Sequence, residues 1–260
     1  MKLNEVRALL TGASGGIGSE VCKQLLDNQA TVYAISRDKQ KLEALFGNTN
    51  NSLSKIEADI STQSGRSEIA NMLNTSNANV NVLINCAGSN QFSSISDISE
   101  LDVIQQVNAN LVTPILLTKS LLPMLAKQDK AKIINVGSSF DSIGFPGFSV
   151  YSATKFGLRG FSESLRRELS DTNIEIGMVS PRATNTEMNG SKVQQMNTEL
   201  KVKTDSADQV AKIILQSIES SNLEKYIGWP EKLFARVNRI FPSIVDGAIS
   251  KQLSVIKQYF

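Results

Sequence analysis

The chain has 260 residues, 41% of them hydrophobic and 20% charged, with a formal net charge of +2 and no histidine. This length and ordinary composition suit one large α/β domain with a complete core and argue against disorder. The balanced charge argues against a nucleic-acid partner, and the missing histidine excludes a Ser-His-Asp hydrolase and a histidine-ligated metal, so no metal is expected.

Short β-branched runs alternate with amphipathic helical stretches along the whole chain. The predicted strands are 6–10, 31–35, 54–57, 80–85, 131–136, 174–179 and 225–227. The predicted helices are 17–28, 64–74, 101–126, 151–170 and 206–220. Several strands are nearly continuous apolar runs, which indicates cover on both faces and a doubly wound parallel α/β sheet. We expect one domain over 1–260, with a polar substrate loop or lid at 182–205 and a helical C-terminal extension at 231–260.

The first predicted strand ends in the turn TGASGGIG, and a helix follows at once. The residues of this turn that we expect to bind a cofactor are Gly12, Ser14, Gly15, Gly16, Ile17 and Gly18. Glycines let the backbone approach a pyrophosphate closely, and the helix N-terminus offers free N–H groups and a positive dipole end. The turn also fits the GxSxG elbow of α/β-hydrolases, but that serine needs a histidine. The turn therefore predicts a dinucleotide site.

The TGxxxGxG spacing resembles the short-chain dehydrogenase/reductase family, and further family motifs follow in order over about residues 5–190. They are Asp59 after the third strand, Asn85-Cys86-Ala87-Gly88 after the fourth, Asn110 in the next helix, Ser138 after the fifth, and Tyr151-Ser-Ala-Thr-Lys155. The resemblance implies a Rossmann-like fold with about seven strands, a nicotinamide cofactor, and a homodimer or homotetramer.

Tyr151 and Lys155 are four residues apart on a predicted helix, so their side chains share one face. A nearby ammonium favours the phenolate, so we expect Lys155 to lower the pKa of Tyr151 and to let it act as general acid and base. The resemblance implies that Ser138 hydrogen-bonds the substrate oxygen and that Asn110 holds a water near the lysine.

The end of the second strand indicates which cofactor is bound. An acidic residue at position 36 would select NAD(H). Ser36 cannot repel the 2′-phosphate of NADP(H), and Arg37 can pair with that phosphate. Asp38 is close enough to compete for Arg37. We therefore expect NADP(H) to be preferred over NAD(H). The resemblance places the remaining cofactor contacts at Asp59, Ile60, Asn85, Ala87, Gly88, Tyr151, Lys155, Pro181 and Thr186.

The substrate side departs from the family pattern. Arg182 replaces the usual glycine after Pro181, so either the backbone avoids a positive φ there or Arg182 reaches the substrate mouth and binds an anionic group. An outward-facing arginine is the alternative. Phe140, Phe145 and Phe148 predict an apolar wall near Ser138, or else simple packing.

Residues 231–260 repeat apolar positions at helical spacing, with basic residues among them, and Pro242 should interrupt the first helix. We favour a packing role, in which the stripe covers the substrate pocket or contacts a partner subunit. A basic amphipathic helix resting on a membrane surface, suited to a lipid-like substrate, is the alternative.

Together these features predict an NADP(H)-dependent oxidoreductase that interconverts a carbonyl and a secondary alcohol of a small molecule. The alternatives are a non-catalytic dinucleotide sensor or scaffold, an epimerase or dehydratase on the same fold, and a membrane-surface reductase. The absence of a signal-like N-terminus and of an apolar run of about 18 residues predicts a cytoplasmic protein. The sequence leaves open fatty 3-oxoacyl, steroid-like, sugar and small aldehyde substrates.

Overall fold

The computed structural model describes residues 1–47, 51–221, 224–229 and 231–260. Its main sheet has seven parallel strands in the order β3-β2-β1-β4-β5-β6-β9. The strands are β1 (Arg7–Thr11), β2 (Thr31–Ser36), β3 (Leu53–Glu57), β4 (Val82–Asn85), β5 (Ala131–Val136), β6 (Ile174–Ser180), β7 (Thr184–Asn185), β8 (Asp205–Ser206) and β9 (Glu224–Tyr226). The predicted doubly wound parallel sheet is confirmed, and each predicted strand lies within two residues of the observed one.

Helices cover both faces of the sheet. They are α1 (Gly16–Asp27), α2 (Lys39–Phe46), α3 (Gln63–Thr75), α4 (Glu100–Val107), α5 (Thr113–Leu125), α6 (Ser149–Glu168), α7 (Ser191–Glu199), α8 (Ala207–Glu219), α9 (Glu231–Ile240), α10 (Pro242–Ser250) and α11 (Leu253–Ile256). The helix predicted over 101–126 is divided into α4, a π-helical turn at Asn108–Val112, and α5. Two helices, α2 and α7, were not predicted from the sequence.

The strand at the centre of the sheet shows why the strands read as apolar runs. Ala8 and Leu10 of β1 pack against α1 and α8 on one face, whereas Leu9 packs against α3 and α5 on the other. Successive side chains of a strand point to opposite faces, so a strand covered twice needs apolar residues at every position.

The sheet changes direction between β1 and β4. From β1 the chain continues outward through β2 to β3, and from β4 it continues the other way through β5 to β6. The loops that leave the carboxyl ends of β1 and β4 therefore diverge, and they leave a crevice between them. Ligands of open α/β sheets bind at such switch points.

The loop 182–205 and the extension 231–260 lie outside the sheet core, and they have different structures. The predicted loop 182–205 contains α7, and its ends meet as a two-stranded ribbon of β7 and β8. Residues 231–260 are helical, and Pro242 separates α9 from α10 as expected, because proline is accepted at the first position of a helix but not inside one.

Candidate active site

A cavity of about 460 Å³ opens at the carboxyl edge of the sheet. It brings together the residues that the family motifs predicted from distant parts of the chain. Among those that line it are Ile17, Gly88, Ser138, Tyr151, Lys155, Pro181 and Thr186. The cavity thus connects the glycine turn with the Tyr-Lys pair.

The glycine turn is shaped by contacts that a larger residue would block. Gly12 has φ +68°, and a Cβ there would lie 2.8 Å from Cα of Ala87. A Cβ on Gly16 would lie 2.7 Å from the Thr186 side chain. Gly15 is the N-cap of α1 and provides no side-chain cap. The N–H groups of the first turn of α1 are therefore suited to a phosphate oxygen.

Thr11 fastens this turn to the loop after β4. Its hydroxyl oxygen accepts hydrogen bonds from the backbone N–H groups of Cys86 and Ala87, both at 3.0 Å. The Asn85 side chain points into the core, and its expected contact with the cofactor remains a prediction. Its amide donates to Asn135 at 2.8 Å and to Thr118 at 3.3 Å inside the core. Asn85 therefore ties β4 to β5 and to α5.

The end of β2 has the polar residues expected to select the cofactor. Ser36 is buried, and its hydroxyl lies 2.7 Å from that of Ser14. Arg37 is exposed. The Asp38 carboxylate, the expected competitor, is the N-cap of α2 and accepts from the Lys41 N–H at 2.9 Å. This role directs the carboxylate toward the helix.

Asp59 and Ile60 follow β3, at the outer end of the same edge. Hydrogen bonds from the hydroxyl and the N–H of Ser61 lower the pKa of Asp59, and the charge of Arg37 acts in the same direction. Ile60 is half-buried against the core. Neither residue lines the cavity described above, and the adenine contact implied by the family resemblance remains a prediction.

Tyr151 and Lys155 lie on α6 and face the cavity together. The Lys155 Nζ lies 5.6 Å from the Tyr151 ring centroid and donates to the Val136 carbonyl oxygen at 3.0 Å. Burial lowers the pKa of Lys155 to about 8. Burial also raises the pKa of Tyr151 to about 12, although a hydrogen bond from Ser138 acts against the shift.

The pKa of Tyr151 is thus raised, whereas the sequence predicted that it would be lowered. Desolvation disfavours the charged form of both side chains and is the largest cause of each shift. At neutral pH the phenol is protonated and the amine keeps most of its charge. In this state the phenol can act as a general acid.

Asn110 lies in the π-helical turn between α4 and α5, a feature that is frequent at functional sites. Its side-chain amide pairs with the backbone of Ser89, accepting at 2.8 Å and donating at 2.9 Å. It also donates to the Thr154 hydroxyl at 3.2 Å. A Cβ on Gly88 would lie 3.0 Å from Asn110 Oδ1 and 3.9 Å from Lys155 Nζ. Asn110 and Lys155 therefore flank one glycine.

A buried ionic network supports Ser138 from behind, and the sequence did not predict it. Asp141 is fully buried at the end of the short 3₁₀ turn that begins after Ser138. Its carboxylate accepts hydrogen bonds from the hydroxyls of Ser180 and Ser142 and pairs with Arg159 at 3.3 Å. Burial raises the pKa of Asp141, while these partners act in the opposite direction.

Arg159 continues the face of α6 that contains Tyr151 and Lys155. Its guanidinium also pairs with Glu163 at 3.0 Å and with Glu224 of β9 at 3.1 Å. The network therefore joins α6 to the edge strand of the sheet. Arg159 and Glu224 are 65 residues apart in sequence, so no local sequence pattern predicts the network.

The predicted apolar wall is present. Phe140 and Phe145 stack with centroids 5.3 Å apart, and Phe148 lies edge-on to the Tyr151 ring at 6.2 Å. All three phenylalanines line the cavity. Further lining residues that the sequence did not single out are Asn90, Met188, Val193 and Met196. Phe234, Val245 and Ile249 also line the cavity, as expected if the apolar stripe of 231–260 covers the substrate pocket.

Arg182 lines the cavity, but its guanidinium already has an anionic partner. The Nε donates to one carboxylate oxygen of Asp205 at 3.0 Å, and one terminal nitrogen donates to the other at 2.6 Å. This bidentate pair neutralises the arginine and closes the β7–β8 ribbon. The expected anion-binding role is therefore not supported.

Comparisons with known proteins support the family that the sequence motifs indicated. The family model described as short chain dehydrogenase matches residues 6–197. A 3-oxoacyl-[acyl-carrier-protein] reductase from Bos taurus is 28% identical over 189 residues, which is 73% of this chain and 78% of that protein. A short chain dehydrogenase from Burkholderia cenocepacia J2315, solved in complex with NADP, has a TM-score of 0.79 at 22% identity over 93% of this chain and 96% of its own.

A second solved structure shares the fold but has the other cofactor. It is a short chain dehydrogenase/reductase from Burkholderia phymatum in complex with NAD, with a TM-score of 0.82 at 15% identity. The match covers 91% of this chain and 94% of that one. Residues 198–260 lie beyond the family model.

Proposed function

Because the chain belongs to the short-chain dehydrogenase/reductase family, we propose that it is an NADP(H)-dependent oxidoreductase that interconverts a carbonyl and a secondary alcohol. One observation carries the proposal: a single cavity is lined by Ile17 at the start of α1 and by Ser138, Tyr151 and Lys155. When bound, the nicotinamide cofactor supplies or accepts the hydride, and the protein's own groups bind, orient and move the proton.

The residues around the glycine turn suit such a cofactor. The uncapped first turn of α1 would hold the pyrophosphate, and Lys155 and Thr186 would meet the nicotinamide half. Ser36 and Arg37 favour a 2′-phosphate, because Asp38 caps α2 and Arg37 is exposed without a charged partner in the described ion pairs. A charge-assisted contact of this kind favours NADP(H) over NAD(H).

The protonation states suit carbonyl reduction. Tyr151, held protonated by burial, would give its phenolic proton to the carbonyl oxygen of the substrate. Ser138 donates a hydrogen bond to the same oxygen and stabilises its developing charge. The Lys155 ammonium favours the phenolate that remains. The reverse reaction needs the phenolate first, so alcohol oxidation is the harder direction near neutral pH.

The walls favour an apolar substrate. Three phenylalanines stand beside Tyr151, and Arg182, the cation expected at the mouth, is neutralised by Asp205. The reacting end of the substrate is therefore apolar, as in an aliphatic or aromatic ketone, whose reduction gives a secondary alcohol.

The first experiment follows oxidation of NADPH and of NADH with aliphatic, aromatic and acyl-thioester carbonyls. We expect turnover with NADPH that falls by about 10²–10⁴-fold in Tyr151→Phe, because the proton donor is lost. Tyr33→Phe, which removes a hydroxyl that bonds the Ala78 carbonyl oxygen far from the cavity, should leave the rate unchanged. Tight NADPH binding without turnover on any carbonyl would favour a non-catalytic dinucleotide-binding protein.

A second experiment tests the choice of cofactor. Arg37→Ala should raise the KM for NADPH by roughly tenfold or more and leave the KM for NADH unchanged, since only NADPH has the 2′-phosphate. Lys39→Ala, a neighbouring cation at the start of α2, is the matched control. Equal effects on the two cofactors would contradict the assignment of Arg37.

A further inference from the structure

Helix α9 packs inward through a face of mixed polarity. Asn238 donates to the Ser142 carbonyl oxygen at 2.8 Å, Arg239 donates to the Tyr226 hydroxyl at 3.3 Å, and Ala235 is buried. The outward face instead has Leu233 and Ile240, which are 47% and 68% exposed. Part of the apolar surface of α9 is therefore left uncovered, unlike that of a helix whose whole apolar stripe packs on a core.

The neighbouring residues extend this surface. Trp229, Phe241 and Ile244 are 67%, 57% and 59% exposed. We call Trp229, Leu233, Ile240, Phe241 and Ile244 the C-terminal patch. The described residues include fourteen exposed large apolar side chains, and six of them lie between 229 and 244. Scattered exposed apolar residues are ordinary, but a cluster of this kind marks an interaction site.

The charge of the same region identifies the kind of partner. Residues 231–260 contain five basic and two acidic residues, a net charge of +3, so the preceding 230 residues carry −1. Lys232 and Arg236 accompany the patch, and neither takes part in an ion pair among the described residues. Exposed apolar residues with free cations beside them are complementary to an anionic lipid surface.

The same helices form one side of the active-site cavity. Phe234 of α9 and Val245 and Ile249 of α10 line it, while the patch lies on the outer side. No helix within the described residues is long and apolar enough to cross a membrane. Contact with a membrane through this segment would therefore be at its surface, next to an apolar cavity.

We propose that the C-terminal patch docks on the surface of an anionic lipid bilayer, with Trp229 and the cations at the headgroup level and Ile240, Phe241 and Ile244 among the acyl chains. A second copy of the chain is a poorer occupant. In a twofold interface the patch would face itself, and its unpaired cations would repel one another. Docking places the cavity beside a source of apolar carbonyl compounds, a consequence that rests on the proposed function.

The test is flotation of the full chain with vesicles of phosphatidylcholine alone or mixed with phosphatidylglycerol. We expect binding to the mixed vesicles that weakens at high salt, because surface charges are screened. The triple variant Ile240→Ser, Phe241→Ser and Ile244→Ser should bind about 100-fold more weakly, since each residue loses its apolar transfer. Lys232→Gln with Arg236→Gln should remove the preference for the anionic lipid.

The matched control is Ile95→Ser with Leu101→Ser, two side chains that are 69% and 62% exposed outside the patch. It should bind vesicles like the wild type. Turnover of a water-soluble carbonyl by the triple variant should be unchanged, which shows that the variant is folded. Vesicle binding needs no turnover, so failure of the proposed function would leave this result intact.

Two results would overturn the proposal. One is wild-type protein that fails to float with either kind of vesicle. The other is self-association without lipid that the triple variant abolishes, measured by light scattering, which would make the patch an interface between copies of the chain.

Discussion

The two sides of the active-site cavity are built differently. The floor consists of Ser138, Tyr151 and Lys155, and the buried Asp141–Arg159 network behind them holds it through directional polar contacts. The roof consists of lining residues from α7, α9 and α10, and the side chains that it presents to the cavity are mostly apolar. Hydrogen bonds and ion pairs fix atoms to a few tenths of an ångström, as proton transfer requires, whereas apolar contacts fix mainly volume. The floor therefore determines the reaction and the roof determines which substrate reacts.

Breaking the floor's ionic network should have the largest effect. Arg159→Met leaves the fully buried Asp141 carboxylate without its cation, and we expect a loss of about 3–5 kcal/mol in the free energy of unfolding. Urea denaturation measures it. Arg167→Met is the control on the same helix. Its side chain is 75% exposed and lies 3.8 Å from Glu163, so about 0–1 kcal/mol is expected. Similar losses in the two variants would mean that the network contributes no more than a surface pair.

This network also shows where reading the sequence ends. The glycine turn, Ser138, Tyr151 and Lys155 were predictable, because each belongs to a motif with fixed spacing beside a recognisable strand or helix. Asp141 and Arg159 meet only through the fold, and in sequence each is an ordinary charged residue. The same holds for Arg182 and Asp205, whose pairing 23 residues apart replaced the expected anion site.

The secondary structure divides in the same way. Long periodic helices such as α1, α6 and α8 were predicted, whereas α2 and α7 have only eight and nine residues and were missed. The π-helical turn that presents Asn110 adds no signal to the apolar pattern, so the sequence predicted one helix over 101–126. The mixed inner face of α9 was not predictable for another reason, because helical spacing does not tell which side of a helix packs inward.

The pH dependence should sharpen the contrast between floor and roof. Burial holds the pKa of Tyr151 at about 12, so the phenol stays protonated over the working range. Lys155, with its pKa lowered to about 8, loses its charge as the pH rises through that value. We expect kcat/KM for carbonyl reduction to be flat up to about pH 8 and to fall above it. Alcohol oxidation should rise with pH, because it needs the phenolate.

Steady-state rates in both directions across this range provide the measurement. A roof variant such as Val193→Ala should keep the same profile, since the substitution removes no titrating group. An oxidation rate that is highest at acidic pH would contradict the assignment of Tyr151 as the proton acceptor.

The smallest effect should come from the roof itself. Met196 is buried, lines the cavity and packs with Phe148 and Val193. Met196→Ala enlarges the cavity, so kcat/KM for a bulky apolar ketone should fall by roughly tenfold through lost contact. A small aldehyde, which does not reach α7, should react at the wild-type rate. The control is Met124→Ala, because Met124 packs on the core cluster that contains residues of α3 and α5. It separates the effect of cavity contacts from that of general stability. An equal loss with both substrates would mean that Met196 supports the floor, and the division between the two sides would fail.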